Sequence, residues 1–247
     1  VLFIYNLLKM LNRAHDTAAL AAKFAAKQSL EIEDYLDPEF AKTFSKWLYQ
    51  EMPNEWWFTS YKEYTQQENK SYNKTQTIQC KPKNKDRIEF ETKKSYNLFN
   101  SGKFSYVFDR TTEHKSKCPC KLCDFRRYLN SSDHLNFLSS VIGDKLTTTR
   151  ETFASRFTAG QFLSPHHDLN KGKVGFVLNL TPKWKAEWGG LLHILENDYK
   201  TLKKVIIPSF NKLTLFTIPE QGGLPHFVSH VVPDTTQKRI SYTGWFA

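Results

Sequence analysis

Residues 149–180 read TRETFASRFTAGQFLSPHHDLNKGKVGFVLNL, three short apolar-alternating runs (149–157, 162–168 and 173–180) punctuated by Gly and Asn turns. Runs of that length with period two, bounded by turn residues, predict β-strands. The rhythm continues outward through 190–195, 204–208, 212–218, 226–232 and 239–246, giving eight strands within about a hundred residues. That spacing predicts an antiparallel double-sheet jelly roll, a cupin-like double-stranded β-helix.

Upstream, the pattern changes. Asp16 through Gln28 is alanine-rich with Leu20 and Phe24 at helical spacing, and Asp37-Pro38-Glu39 opens a second helix through Tyr49. Asp before a first-turn Pro is a helix-start signature. The cluster Trp56-Trp57-Phe58 is read as core that joins these helices to the sheet. Residues 62–86 are polar and lysine-rich and read as a loop or flap. Arg87 to Glu91 alternates like a strand, and Asn100-Ser101-Gly102 turns into a strand over 103–108. Ser132-Asp133-His134 begins a further helix through Val141, closed by Gly143. The expected organisation is α+β in one catalytic domain, 1–247. Residues 1–147 form a helical support layer with a flap or hairpin region, packed on one sheet, and 148–247 form the jelly-roll core.

Strand alternation sets His166 and Asp168 on one face at the end of the second strand and turns His167 away. A histidine from a distant strand would complete two imidazoles and one carboxylate, the set that holds a non-haem Fe(II) and leaves positions open. Two candidates, His226 and His230, share a face of the seventh predicted strand. His226 is preferred because it starts the strand, and because of the Pro225-His226-Phe227-Val228 context; alternation alone leaves both. Arg239 and Ser241 lie on one face of the last strand, where a guanidinium and a hydroxyl can hold a distant carboxylate. His193 reads as structural. Trp188-Gly189-Gly190-Leu191 reads as a turn permitting close backbone approach.

These segments, together with Arg156-Phe157-x-x-Gly160-x-Phe162-x-x-Pro165 and Arg239-Ile240-Ser241-Tyr242-Thr243-Gly244-Trp245, resemble the Fe(II)/2-oxoglutarate-dependent dioxygenases in their prolyl-hydroxylase-like branch. Asp37-Pro38-Glu39-Phe40 resembles that family's N-terminal helical layer. The resemblance implies iron bound by His166, Asp168 and His226, and a 2-oxoglutarate carboxylate held by Arg239 and Ser241. It implies O2 as oxidant, ascorbate as an optional reductant, and hydroxylation of an unactivated C–H, foremost in a prolyl residue of a protein or peptide, with release of succinate and carbon dioxide. Two positions depart from it. Phe157 stands where relatives often carry a tyrosine that touches 2-oxoglutarate, and Asn179 replaces a second tyrosine with a shorter polar group. Retention of Asp168 argues against a halogenase.

Alternative readings are hydroxylation of a free amino acid or other small metabolite, nucleic-acid demethylation, and an inactive binding module. The demethylase branch usually carries a second arginine where this chain has Trp245. The net charge of +10 is also divided evenly, +5 in 1–148 and +5 in 149–247, rather than gathered into a stripe. An intact ligand set argues against a dead module.

His114, Cys118, Cys120 and Cys123 could hold zinc, but Cys-x-Cys-x-x-Cys matches paired Cys-x-x-Cys knuckles poorly, and a tight loop of reduced thiols is preferred. Four cysteines in 247 residues suggest a reducing cytoplasm rather than a disulfide framework. No apolar run reaches membrane-spanning length, and the opening Val1-Leu2-Phe3-Ile4-Tyr5 is interrupted by Asn6 and Lys9, so no membrane partner is expected. The chain begins with Val, consistent with a missing N-terminus.

Overall fold

The computed structural model describes residues 10–67, 70–112, 118–219, 224–232 and 235–247. His114, the Gln221-Gly222-Gly223 turn and the opening apolar run lie outside them. The eight strands expected from the C-terminal rhythm are present as β5 (Thr149–Phe157), β6 (Phe162–His166), β7 (Val174–Asn179), β8 (Leu192–Leu195), β9 (Leu202–Ile206), β10 (Lys212–Thr217), β11 (His226–Val228) and β12 (Arg239–Phe246). They pair antiparallel in two groups of four, β10-β7-β12-β5 and β6-β11-β8-β9. This is a jelly roll. A further strand, β4 (Tyr106–Thr111), pairs with both β5 and β6 and so joins the two groups. A short β1 (Ser29–Ile32) extends the first group beyond β10.

Period-two alternation sorts the side chains of β12. Ile240, Tyr242 and Phe246 enter a core shared with the helices, whereas Arg239, Ser241, Thr243 and Trp245 face the space between the sheets. In β7, Val174, Phe176 and Leu178 join the same helical core. The second core lies inside the roll, built from Phe108, Phe153, Phe157, Leu192, Ile194 and Val228 among others.

The helices form as their caps predict. Asp16 accepts from the Ala19 N–H at the start of α1 (Thr17–Lys27), and Asp37 accepts from Glu39 and Phe40 at the start of α2 (Pro38–Lys46), which continues as a π-helical turn through Glu51. Ser131 rather than Ser132 caps α5 (Ser132–Ile142), and Gly143 closes it in the left-handed conformation. Phe40, Phe44, Phe125, Tyr128 and Leu138 stack against the sheet through Tyr242 and Phe246. Trp57 is 1% exposed in this core, as expected of the aromatic cluster.

Three local expectations differ. Residues 62–86 are not a loop: β2 (Trp57–Gln67) and β3 (Lys70–Gln79) form a long hairpin, with β2 also paired to β4. Among its described side chains the hairpin buries Trp57, Thr59, Ser60, Tyr61 and Ile78, whereas Asn73, Lys74, Thr75 and Thr77 are exposed, so apolar alternation is weak, although Thr, Tyr and Gln suit an exposed ladder. Residues 87–91 belong to a helix, α3 (Lys85–Asn100). Its inward face is Ile88, Glu91 and Ser95, at helical spacing, while Phe90 is 62% exposed; the Ile88–Phe90 alternation therefore reported the wrong period. The cysteine segment likewise leads into an unforeseen helix, α4 (Lys121–Leu129).

Candidate active site

His166 ends β6, and Asp168 follows two residues later. His226 begins β11, directly opposite His166 in the ladder. One donor atom from each of these three residues lies within 4.8 Å of the others. The His166 Nε2 is 3.7 Å from Asp168 Oδ1, and the His226 Nε2 is 3.5 Å from Asp168 Oδ2. His167 is exposed, as alternation requires.

The tautomers follow from the backbone. His166 Nδ1 lies 3.0 Å from the Ser164 carbonyl and His226 Nδ1 lies 2.9 Å from the Leu224 carbonyl. A carbonyl only accepts, so each Nδ1 carries the proton and each Nε2 presents a lone pair to the shared centre. Burial, then the neighbouring His226, pulls the His166 pKa down to about 4 against the opposing pull of Asp168. The ring is therefore neutral and ready to donate at neutral pH. Trp245 donates its indole N–H to Asp168 Oδ2 at 3.0 Å, which fixes the carboxylate with Oδ2 towards His226 and Oδ1 towards His166.

His230 stands apart from this cluster. The β11 ladder ends at Val228, so the period-two argument that coupled residues 226 and 230 lapses. Its ring stacks on Phe162 at 4.0 Å, with Tyr96 and Phe99 edge-on. Gly189, with φ +70°, lies beside it: a Cβ there would meet the His230 carbonyl oxygen at 1.9 Å. The Gly189-Gly190 pair thus serves close backbone approach, but to the segment after β11 rather than to a ligand. His193 stacks on Phe227 at 4.3 Å, a structural placement.

A cavity of about 360 Å3 opens from the three-donor cluster into the roll, and Arg239 and Ser241 line its depth together with Phe157 and Val177. Arg239 is 2% exposed, and its Nε has no hydrogen-bond partner. Among the described residues no carboxylate pairs with it. Burial lowers its pKa to about 10, which still leaves it cationic at neutral pH. Its guanidinium lies 5.0 Å from the Phe157 ring centre, so the phenylalanine that replaces the family's tyrosine supports the cation through its face. Ser241 shares a 2.7 Å hydrogen bond with Ser155. Asn179 is paired in register with Ser241 and buried, with its Oδ1 unpartnered, but it is not among the residues that line the cavity.

Several lining residues escaped the sequence reading. Thr75 comes from the hairpin, Phe104 from the segment before β4, Tyr106, Phe108 and Arg110 from β4, and Phe153, Phe216 and Trp245 from the roll. Alternation from Arg239 marks Trp245 as inward, but nothing in its spacing announces a bond to Asp168. Phe216 packs 5.1 Å from the His226 ring, and it fits because residue 175 is a glycine: a Cβ there would meet the Phe216 ring at 2.4 Å.

A jelly roll with two imidazoles and a carboxylate at one end of its cavity and an unpaired guanidinium deeper inside defines a class, and residues 152–247 match the family model described as 2OG-Fe(II) oxygenase superfamily. Over 146 residues the chain is 30% identical to mouse prolyl 3-hydroxylase OGFOD1, covering 57% of this chain and 26% of that protein. The chain thus spans about a quarter of the length of that curated relative. Its structure is similar to a Pseudomonas putida prolyl-4-hydroxylase, with a TM-score of 0.54 at 16% identity over 94% of this chain and 98% of the other. It is also similar to a Trichoplax adhaerens prolyl hydroxylase solved with a hypoxia inducible factor oxygen degradation domain peptide, with a TM-score of 0.53 at 16% identity over 93% and 88%. At such identity the two structural likenesses speak for the fold.

Proposed function

We propose that the protein is an Fe(II)- and 2-oxoglutarate-dependent dioxygenase that hydroxylates an unactivated C–H of a prolyl residue in a protein or peptide, releasing succinate and carbon dioxide. His166, Asp168 and His226 are the iron ligands in this reading. Arg239 and Ser241 hold the far carboxylate of 2-oxoglutarate, with Asn179 as a further polar group behind them. One observation carries it. Two imidazoles and a carboxylate with converging donor atoms, a set that would hold Fe(II), share a cavity with a buried cation that has no carboxylate partner among the described residues. A buried unpaired charge is costly unless a ligand neutralises it, and a dicarboxylic acid reaching from metal to guanidinium does so.

Bound iron supplies the oxidative chemistry with O2 and the keto acid. The chain supplies position. The Ser164 and Leu224 carbonyls lock both imidazoles, Trp245 steadies Asp168, and Arg239 orients the co-substrate by a charge-assisted pair. Phe104, Tyr106, Phe108 and Phe153 make the cavity wall apolar, which excludes water and suits a compact pyrrolidine ring. The prolyl assignment is further supported by the names of the similar proteins, which are prolyl hydroxylases. The described residues include no helix long and apolar enough to cross a membrane.

Anaerobic titration with Fe(II) and 2-oxoglutarate tests the reading. A visible metal-to-ligand charge-transfer band should saturate at one equivalent. Arg239→Ala should still bind iron yet need roughly 30-fold or more 2-oxoglutarate, the effect of about 2 kcal/mol from a lost buried charge pair. Under air, prolyl peptides should raise succinate release where free amino acids do not. Absence of the band defeats the metal assignment, and succinate release with free amino acids alone defeats the substrate assignment.

A further inference from the structure

A second group of metal-type donors gathers among the described residues, away from the cavity. The sulfurs of Cys118, Cys120 and Cys123 all lie within 4.8 Å of one another, and none is in a disulfide. The local backbone explains this. Cys120 is the N-cap of α4 with extended geometry (φ −116°, ψ 156°), so Cys118, two residues before it, presents its side chain to the same side. Cys123 occupies the third helical position, whose side chain leans back towards the cap. Cys123 is buried and the other two are half-buried.

Without a cation the three thiols keep their protons. The hydrogen bond that the Cys118 thiol donates to Cys120 raises the Cys118 pKa, and burial raises those of Cys120 and Cys123. S–H groups are weak hydrogen-bond donors, so three of them facing one another gain little from their proximity. We propose that Cys118, Cys120 and Cys123 bind one Zn2+ through three thiolates, with a solvent molecule in the fourth position. Tetrahedral Zn–S bonds of about 2.3 Å place sulfurs about 3.8 Å apart, a separation that side-chain rotation reaches from the observed one. Three S–H bonds break, three Zn–S bonds form and three protons leave to solvent, so the zinc and its thiolates carry a net charge of −1. Arg126 acts electrostatically on Cys123, and Arg127 donates to the Cys118 carbonyl at 3.4 Å, so positive charge already flanks the site. The bound ion ties the chain following β4 to α4, whose Phe125 rests on Tyr242 of β12 at 4.9 Å. The convergence of the sulfurs outweighs the poor match of the spacing to a paired knuckle.

The test does not depend on the dioxygenase reading. Reduced, chelator-stripped protein is given Zn2+, freed of excess, and examined by metal analysis and zinc-edge X-ray absorption. Sulfur neighbours at about 2.3 Å are expected, rising to three per zinc in Asp168→Ala and lost in Cys120→Ser. The His166 cluster also takes zinc but contributes only nitrogen and oxygen neighbours at about 2.0–2.1 Å. Zinc with only those lighter neighbours, or no zinc in Asp168→Ala, overturns the proposal. If Cys120→Ser does not fold, Co2+ loaded into the unaltered chain decides: a near-ultraviolet sulfur-to-cobalt band supports the site, and its absence overturns it.

Discussion

Trp245 shows how much one hydrogen bond can bear on the proposed metal centre. Its indole N–H holds one oxygen of Asp168, and Lys171 lies over its other face at 5.2 Å. Trp245→Phe keeps the aromatic wall but frees the carboxylate to rotate. Partners of this kind are worth about 10–100-fold in metal affinity, so Fe(II) binding should weaken by that order while folding is unchanged. Competition with a fluorescent Fe(II) chelator measures it; an unaltered affinity would show that Asp168 is aimed by packing alone.

Among the elements, α5 is tied to the rest of the helical layer through a buried histidine. His134 Nδ1 donates to the Leu129 carbonyl at 2.9 Å, and Tyr35 donates its hydroxyl to Nε2 at 2.5 Å. Burial lowers the His134 pKa from 6.5 to about 4. The unfolded chain therefore binds this proton more readily than the folded one, so stability is fully present above pH 6.5 and is lost as pH falls towards 4. The loss amounts to about 3 kcal/mol at most. Urea midpoints of the metal-free protein should fall between pH 7 and 4.5, and His134→Gln should flatten that dependence. His166 titrates in both proteins, so the difference isolates His134. Equal slopes would rule this histidine out as an acid trigger.

The whole molecule turns on β4, the strand shared by both sheets. Its Asp109 receives Arg156 Nε at 2.9 Å and Nη2 at 2.8 Å, Thr59 at 2.8 Å and Gln161 at 3.0 Å, linking the hairpin, β5 and the turn into β6. Arg156 also lies over Trp57 at 4.6 Å. Removing the carboxylate leaves a 2%-to-8%-exposed network with an unpaired guanidinium, since Arg156 itself is 8% and Gln161 2% exposed. Asp109→Ala should cost about 3–5 kcal/mol in urea unfolding, and the apolar pair Asp109→Leu with Arg156→Met should restore much of it. A single-variant cost below about 1 kcal/mol would mean that the strand pairing suffices without the ion pair.

The jelly roll was legible because most of its strands have one face in a core, which writes period two into the sequence; β5 and β12 were bounded to the residue. His166 and Asp168 were legible for the same reason, and Arg239 with Ser241 by the same alternation. The hairpin and α3 were not: the inward residues of α3 include the polar Glu91 and Ser95 while Phe90 is exposed, so its helical period is not written in apolar residues, and the hairpin's apolar residues are sparse. Nor could alternation separate His226 from His230: where β11 stops is set by its pairing with β6 and β8, not by its own residues. The linear chain by itself determined which residue types face inward, since that depends only on neighbours along a strand. Which inward groups meet, from Trp245 on Asp168 to three sulfurs at the head of α4, was decided only by the tertiary structure, because contact across sheets depends on register and closure that no local pattern encodes.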